Sequence, residues 1–102
     1  MRPDLDDYFA LFRLYGGDLG EAYRQPDDER YRLLFEQVCH LLLKPSAINL
    51  RLPEPFRLTA QRYLAEEPET VAQMRDPANR NFMLSDLHDI LHLLRRQRQD
   101  GT

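Results

Sequence analysis

The chain of 102 residues contains a single cysteine, Cys39, and a single lysine, Lys44. One thiol excludes an internal disulfide framework, leaves no disulfide partner within the chain, and fits a reducing, cytoplasmic setting. No uninterrupted apolar run approaches the ~20 residues that a membrane-spanning helix needs, so no membrane partner is expected. The N-terminal MRPDLDDYF carries acids where a signal peptide needs a basic flank and an apolar stretch. Basic charge is not in excess either: 17 Asp+Glu face 14 Lys+Arg, a formal net charge of −3. That argues against a general nucleic-acid binder, whose first requirement is a basic footprint. Gly16, Gly17 and Gly20 have neither the preceding strand nor the following lysine of a phosphate-binding loop. There are no internal repeats and no low-complexity tract, and no residue pattern calls for a cofactor.

The charge that is present is unevenly spread. Residues 1–30 hold eight acids (Asp4, Asp6, Asp7, Asp18, Glu21, Asp27, Asp28, Glu29) against four arginines, a net of −4. The remainder holds nine acids against ten basic residues, a net of +1. A chain of this length is one domain, spanning 1–102, and buries about 60–65% of its unfolded surface on folding. Its core is modest, and association with a copy of itself or another chain would add stability.

Tyr31–Lys44, YRLLFEQVCHLLLK, is the most apolar stretch. At 100° per residue Tyr31, Leu34, Phe35, Val38, Leu41 and Leu42 fall on one broad stripe, with Cys39 at its edge. Leu33 and Leu43 lie off that stripe. Pro26, followed by three acids, predicts the start of this helix, and Lys44-Pro45 predicts its end. Leu5, Tyr8, Phe9 and Phe12 predict a first helix over Asp4–Tyr15 stopped by Gly16-Gly17, with Leu11 and Leu14 widening its apolar face. Asp18 and Glu21 predict a short helix over Leu19–Arg24. Ile48, Leu50 and Leu52 alternate with polar residues, so 45–55 reads as an extended loop or a short edge strand able to pair with a partner. Helix returns at about Phe56 or Thr59 and runs to Glu66, then again over Glu69–Arg75. The last helix starts near Ala78, as one piece or as two divided near Ser85, and ends near Gln97. The tail 99–102 is expected to fray. The fold class is therefore all-α: a compact bundle of five or six helices with an extended segment around 45–55.

Candidate chemistry is sparse. His88 and His92, at i and i+4, share a helix side and could reach one ion, but two ligands do not make a zinc site and no glutamate follows the first histidine. No metal is assigned. Cys39 and His40 point 100° apart on a helix, and a cysteine beside an apolar stripe behaves as a small hydrophobe. The paired carboxylates sit at helix ends, where capping accounts for them. No catalytic residue is assigned.

What remains is apolar surplus. Leu11 and Leu14 on the first helix, Leu33 and Leu43 on the central one and Leu93 on the last lie outside the inward stripes. Arg95 and Arg96 close the last helix. These seven are the expected partner-binding residues. The reading is a small interaction domain, self-associating as a homodimer or binding another protein as an adaptor, small chaperone or inhibitory regulator. Its acidic third would meet a basic surface and its arginine-rich end an acidic one. Two other readings stand beside it: a transcriptional regulator using the 59–75 helix pair, disfavoured by Glu66, Glu67 and Glu69 facing phosphates, and a small enzyme with a pocket near Cys39 and His40.

Overall fold

The computed structural model describes residues 3–100, with side chains through Arg98. Asp4 opens the first helix. Its carboxylate accepts from the Asp6 and Asp7 amides while the Asp7 side chain accepts from the Asp4 amide, a reciprocal cap. Helix α1 (Leu5–Leu11) then passes into a π-helical turn, Phe12–Gly16. The Gly17 amide donates to the Phe12 carbonyl five residues back, at 3.2 Å. Gly17 has φ +49°, a conformation glycine adopts without a Cβ clash. A Cβ on Gly16 would sit 3.3 Å from Leu34 Cδ2, so this glycine lets the central helix approach closely.

Helix α2 (Leu19–Arg24) is capped by Asp18, as its acid-first pattern predicts. Helix α3 begins at Glu29 rather than Pro26 and runs to Leu42. Asp28 is the reason: its carboxylate accepts from the Arg30 amide at 2.9 Å and from the Arg30 guanidinium at 2.8 Å. Capping by Asp28 leaves Pro26 in the preceding turn, which closes through the Asp28 amide on the Gln25 carbonyl. The first turn is further tied by Arg32 to Glu29 and Glu36. Tyr31, Leu34, Phe35, Val38, Cys39 and Leu42 are fully buried, and Leu41 nearly so. This stripe packs on α1, on the π turn, and on the helices described next as α5 and α7.

The segment expected to be extended around 45–55 is instead mostly helical. Ala47–Arg51 forms a short helix α4, with Ser46 as its cap accepting from the Asn49 amide at 3.0 Å. Only short connections at 45–46 and 52–53 remain non-helical, and no strand occurs among the described residues. The alternation Ile48, Leu50, Leu52 misleads because the buried residues are Asn49 and Leu52. Ile48 is half-buried, and Leu50 faces outward with 75% of its surface exposed.

Helix α5 (Glu54–Leu64) starts earlier than Phe56, with Pro55 in its first turn, where a missing N–H costs nothing. It ends in a Schellman turn: the Glu67 amide donates to the Arg62 carbonyl at 3.0 Å and the Glu66 amide to the Tyr63 carbonyl at 3.0 Å. Helix α6 (Pro68–Arg75) follows. Helix α7 (Pro77–Asp100) is one piece with no break at Ser85, and Asp76 caps it by accepting from the Ala78 amide at 3.0 Å. Residues 99 and 100 still belong to α7, and the fraying expected at 101–102 lies outside the described residues.

The result is an all-helical bundle with α3 at its centre and α7 along its length. Leu84, Leu87, Leu91 and Leu94 of α7 complete the core. Asn81 on α7 donates to the Ala22 and Pro26 carbonyls at 3.1 and 3.3 Å, fixing the α2–α3 turn. The Cα radius of gyration, 13.4 Å, is that of a compact chain of this length.

Candidate protein-binding surface

The end of α3 is held by one buried side chain. Asn49 donates from Nδ2 to the carbonyls of Leu41, Leu42 and Lys44, at 2.8, 3.3 and 2.6 Å. The Leu41 carbonyl also accepts from the Lys44 amide at 3.1 Å, so Asn49 adds to the turn that closes the helix. The Asn49 Oδ1 accepts from the Tyr8 hydroxyl on α1. Burial pushes the Tyr8 phenol well above its usual pKa, and the bond to Asn49 only partly offsets this, so Tyr8 stays protonated and donating. Asn49 therefore anchors α4 across the end of α3.

With α4 fixed there, a recess of about 470 Å3 opens between the end of α3, α4 and the start of α5. Leu43, Leu50 and Leu58 line it, one from each element, and all three are exposed. Lys44, Glu54 and Arg57 add charge to its lining. Lys44 and Arg57 make no ion pair with an acid among the described residues. The Arg57 Nε is buried and has no hydrogen-bond acceptor. On the opposite flank of α5 a smaller recess of about 200 Å3 is lined by Pro55, Phe56, Met74 and Met83, beside the exposed Phe82.

The seven residues expected at a partner surface are distributed over the molecule. Leu14 is 70% exposed, on the π turn, while its neighbour Leu11 is half-buried against the core. Leu33 is half-buried on α3. Leu43 borders the large recess. Leu93 is exposed on α7, one turn before Gln97, whose Oε1 accepts from Arg51 of α4 at 3.2 Å. Arg95 lays its guanidinium 5.0 Å from the Phe9 ring centroid, a cation–π contact that makes it part of the packing. Arg96 is exposed. The structure thus brings Leu43 together with Leu50 and Leu58, which the sequence reading did not single out. The capping serine in Lys44-Pro45-Ser46 was the available sign that a helix, and not a strand, follows.

His88 and His92 lie with ring centroids 4.4 Å apart. His88 packs edge-on against Phe12 at 4.9 Å, and His92 against Phe9 at 4.9 Å. Burial, then the neighbouring His92, holds the His88 pKa below its ordinary value. No group of three or more His, Cys, Asp or Glu side chains is placed to hold a metal ion among the described residues. Cys39 is buried and His40 exposed, so the two diverge as their spacing on a helix requires. Burial, with a smaller contribution from Glu36, pushes the Cys39 thiol up to about 12. Such a thiol is not a nucleophile at neutral pH. At the start of α6, Glu67 and Glu69 are exposed, with Glu66 just before them, on the helix that would have to enter a DNA groove.

The chain matches no known family model, and no curated protein or solved structure matches it. What the fold does show is a small, compact, all-helical domain. Among its described residues no helix is long and apolar enough to cross a membrane.

Proposed function

We propose that this chain is a protein-interaction domain, an adaptor or regulatory binder, and that the recess at the junction of α3, α4 and α5 is its contact surface. The observation that carries this reading is the convergence of Leu43, Leu50 and Leu58 on that one recess, all exposed. Scattered exposed leucines are ordinary on a protein surface, but a contiguous set around a concavity is what partner surfaces use. The rigid support beneath it favours binding, because Asn49 pre-orders the element that presents Leu50. Leu14, Leu93 and Arg96, exposed elsewhere, are proposed as peripheral contacts, and Leu11, Leu33 and Arg95 as supporting residues behind them. The acidic start of α6 weighs against the nucleic-acid alternative, and the buried Cys39 weighs against a catalytic thiol.

The test uses the intact protein as bait against an extract of its native cells, beside a variant carrying Leu43→Glu, Leu50→Glu and Leu58→Glu. Light scattering on both proteins reports self-association. Capture of a defined partner, or a dimer, that the variant loses would support the reading. A wild-type protein that is monomeric and captures nothing beyond what the variant captures would sink it.

A further inference from the structure

We infer that the occupant of the α3–α4–α5 recess is an acidic amphipathic helix of another protein, seated with its leucine-type side chains between Leu43, Leu50 and Leu58. This rests on the interaction reading above and narrows it to one class of partner. Peptide segments are recognised in a few physical ways, and the fold removes most of them. Adding a strand requires a free sheet edge, and the described residues contain no strand. Docking a polyproline segment requires an aromatic-lined groove, and no aromatic residue lines this recess. A cluster of arginines, as phosphopeptide recognition uses, is absent, since Arg57 is the only arginine in the lining. What is left is a helix whose apolar face enters a groove, its anchors spaced i, i+3/i+4 and i+7. The recess, at about 470 Å3, has room for several such side chains.

The charge selects the sign of the partner. Lys44 and Arg57 line the recess beside its leucines, two cations against the single Glu54, and none of the three is ion-paired among the described residues. The Arg57 Nε is turned away from water and bonded to nothing. That buried atom is out of a partner's reach, and it is the Arg57 Nη groups and the Lys44 ammonium that a partner carboxylate would meet. Glu54 in the same lining repels an acidic partner locally, so the partner's acids must sit on the Lys44–Arg57 side.

A displayed library of helical peptides, each about 16 residues or four to five turns long, is selected on the intact protein. The expected winners carry leucine-type residues at the helical spacing together with glutamate or aspartate. Their affinity should fall about ten-fold or more for Leu50→Glu and for Arg57→Glu. Replacing the acids of a winner by lysine should restore binding to Arg57→Glu and not to the wild type. Because Leu50 is 75% exposed, Leu50→Glu is expected to fold normally, checked by its circular dichroism and melting temperature. Winners that bind both variants undiminished would overturn the inference while leaving an interaction domain with a different surface. Winners that are basic, or lack helical spacing, would overturn it as well. Loss of self-association in Leu50→Glu, with no peptide selected, would assign the recess to a second copy of this chain instead.

Discussion

Tyr8 and Asn49, 41 positions apart in the chain, meet in a buried hydrogen bond from the phenol to the amide oxygen. The other end of the Asn49 amide is spent on three carbonyls at the end of α3. Through these two residues the first helix, the end of the central helix and the short α4 become one unit. The recess lies between that end of α3, α4 and the start of α5.

Asn49→Asp keeps the shape of the side chain and replaces its donors with an acceptor facing carbonyl oxygens. It should destabilise the protein by about 3 kcal/mol, as expected for a buried polar group left unpaired. Tyr8→Phe leaves only the amide oxygen unbonded and should cost about 1–2 kcal/mol. Urea unfolding at neutral pH measures both. Equal and small effects would show that this contact is incidental to the fold.

Glu66 holds φ +60° at the end of α5, a left-handed conformation unfavourable for a side-chain-bearing residue. Glu66→Gly removes that strain, partly offset by the greater freedom of glycine in the unfolded chain. We expect stabilisation of about 0.5–1 kcal/mol and a melting temperature higher by roughly 4 °C. A lower melting temperature would indicate that the Glu66 side chain makes a contact the turn depends on.

His88 should give the protein a pH dependence near neutrality. Its folded pKa lies below the ordinary 6.5, chiefly through burial and then through His92, with Asp89 acting in the opposite direction. The unfolded chain therefore binds the proton more readily than the folded one. The contribution is fully present above pH 6.5 and is lost as pH falls from there through the folded pKa. Urea midpoints between pH 7.5 and 5.5 should fall more for the wild type than for His88→Gln. Parallel curves would refute the assignment.

Cys39 should be silent toward thiol reagents in the native state. With the pKa near 12, roughly one thiol in ten thousand is ionised at pH 8, and the side chain is out of contact with water. Labelling should become rapid only in denaturant, and Cys39→Ala should keep partner binding. Fast native labelling would reopen the catalytic reading of the Cys39-His40 pair.

Much of the bundle was legible because it follows from local rules. The stripe of Tyr31, Leu34, Phe35, Val38 and Leu42 needed only helical periodicity, and Asp4 and Asp18 announced their helices by capping. The start of α3 was misplaced because Pro26 and Asp28 both qualify as start signals, and only the Arg30 contacts decide between them. The largest departure lay at Ala47–Arg51. There a buried asparagine takes the place a hydrophobic residue would hold, and a leucine faces solvent. Periodicity weighs apolar residues alone and has no means of registering a buried amide bonded to Tyr8. That inversion also disguised Leu50 as part of a strand, and Leu58 fell at the uncertain start of its helix, whereas Leu43 stood out as soon as its helix was drawn.

The most direct test of the central claim is a leucine-methyl NMR titration of the intact protein with its captured partner or a selected peptide. The account predicts that the methyl signals of Leu43, Leu50 and Leu58 shift or broaden together, and by more than those of the peripheral Leu14 on the π turn. Movement at Leu14 with the three recess leucines unchanged would contradict it.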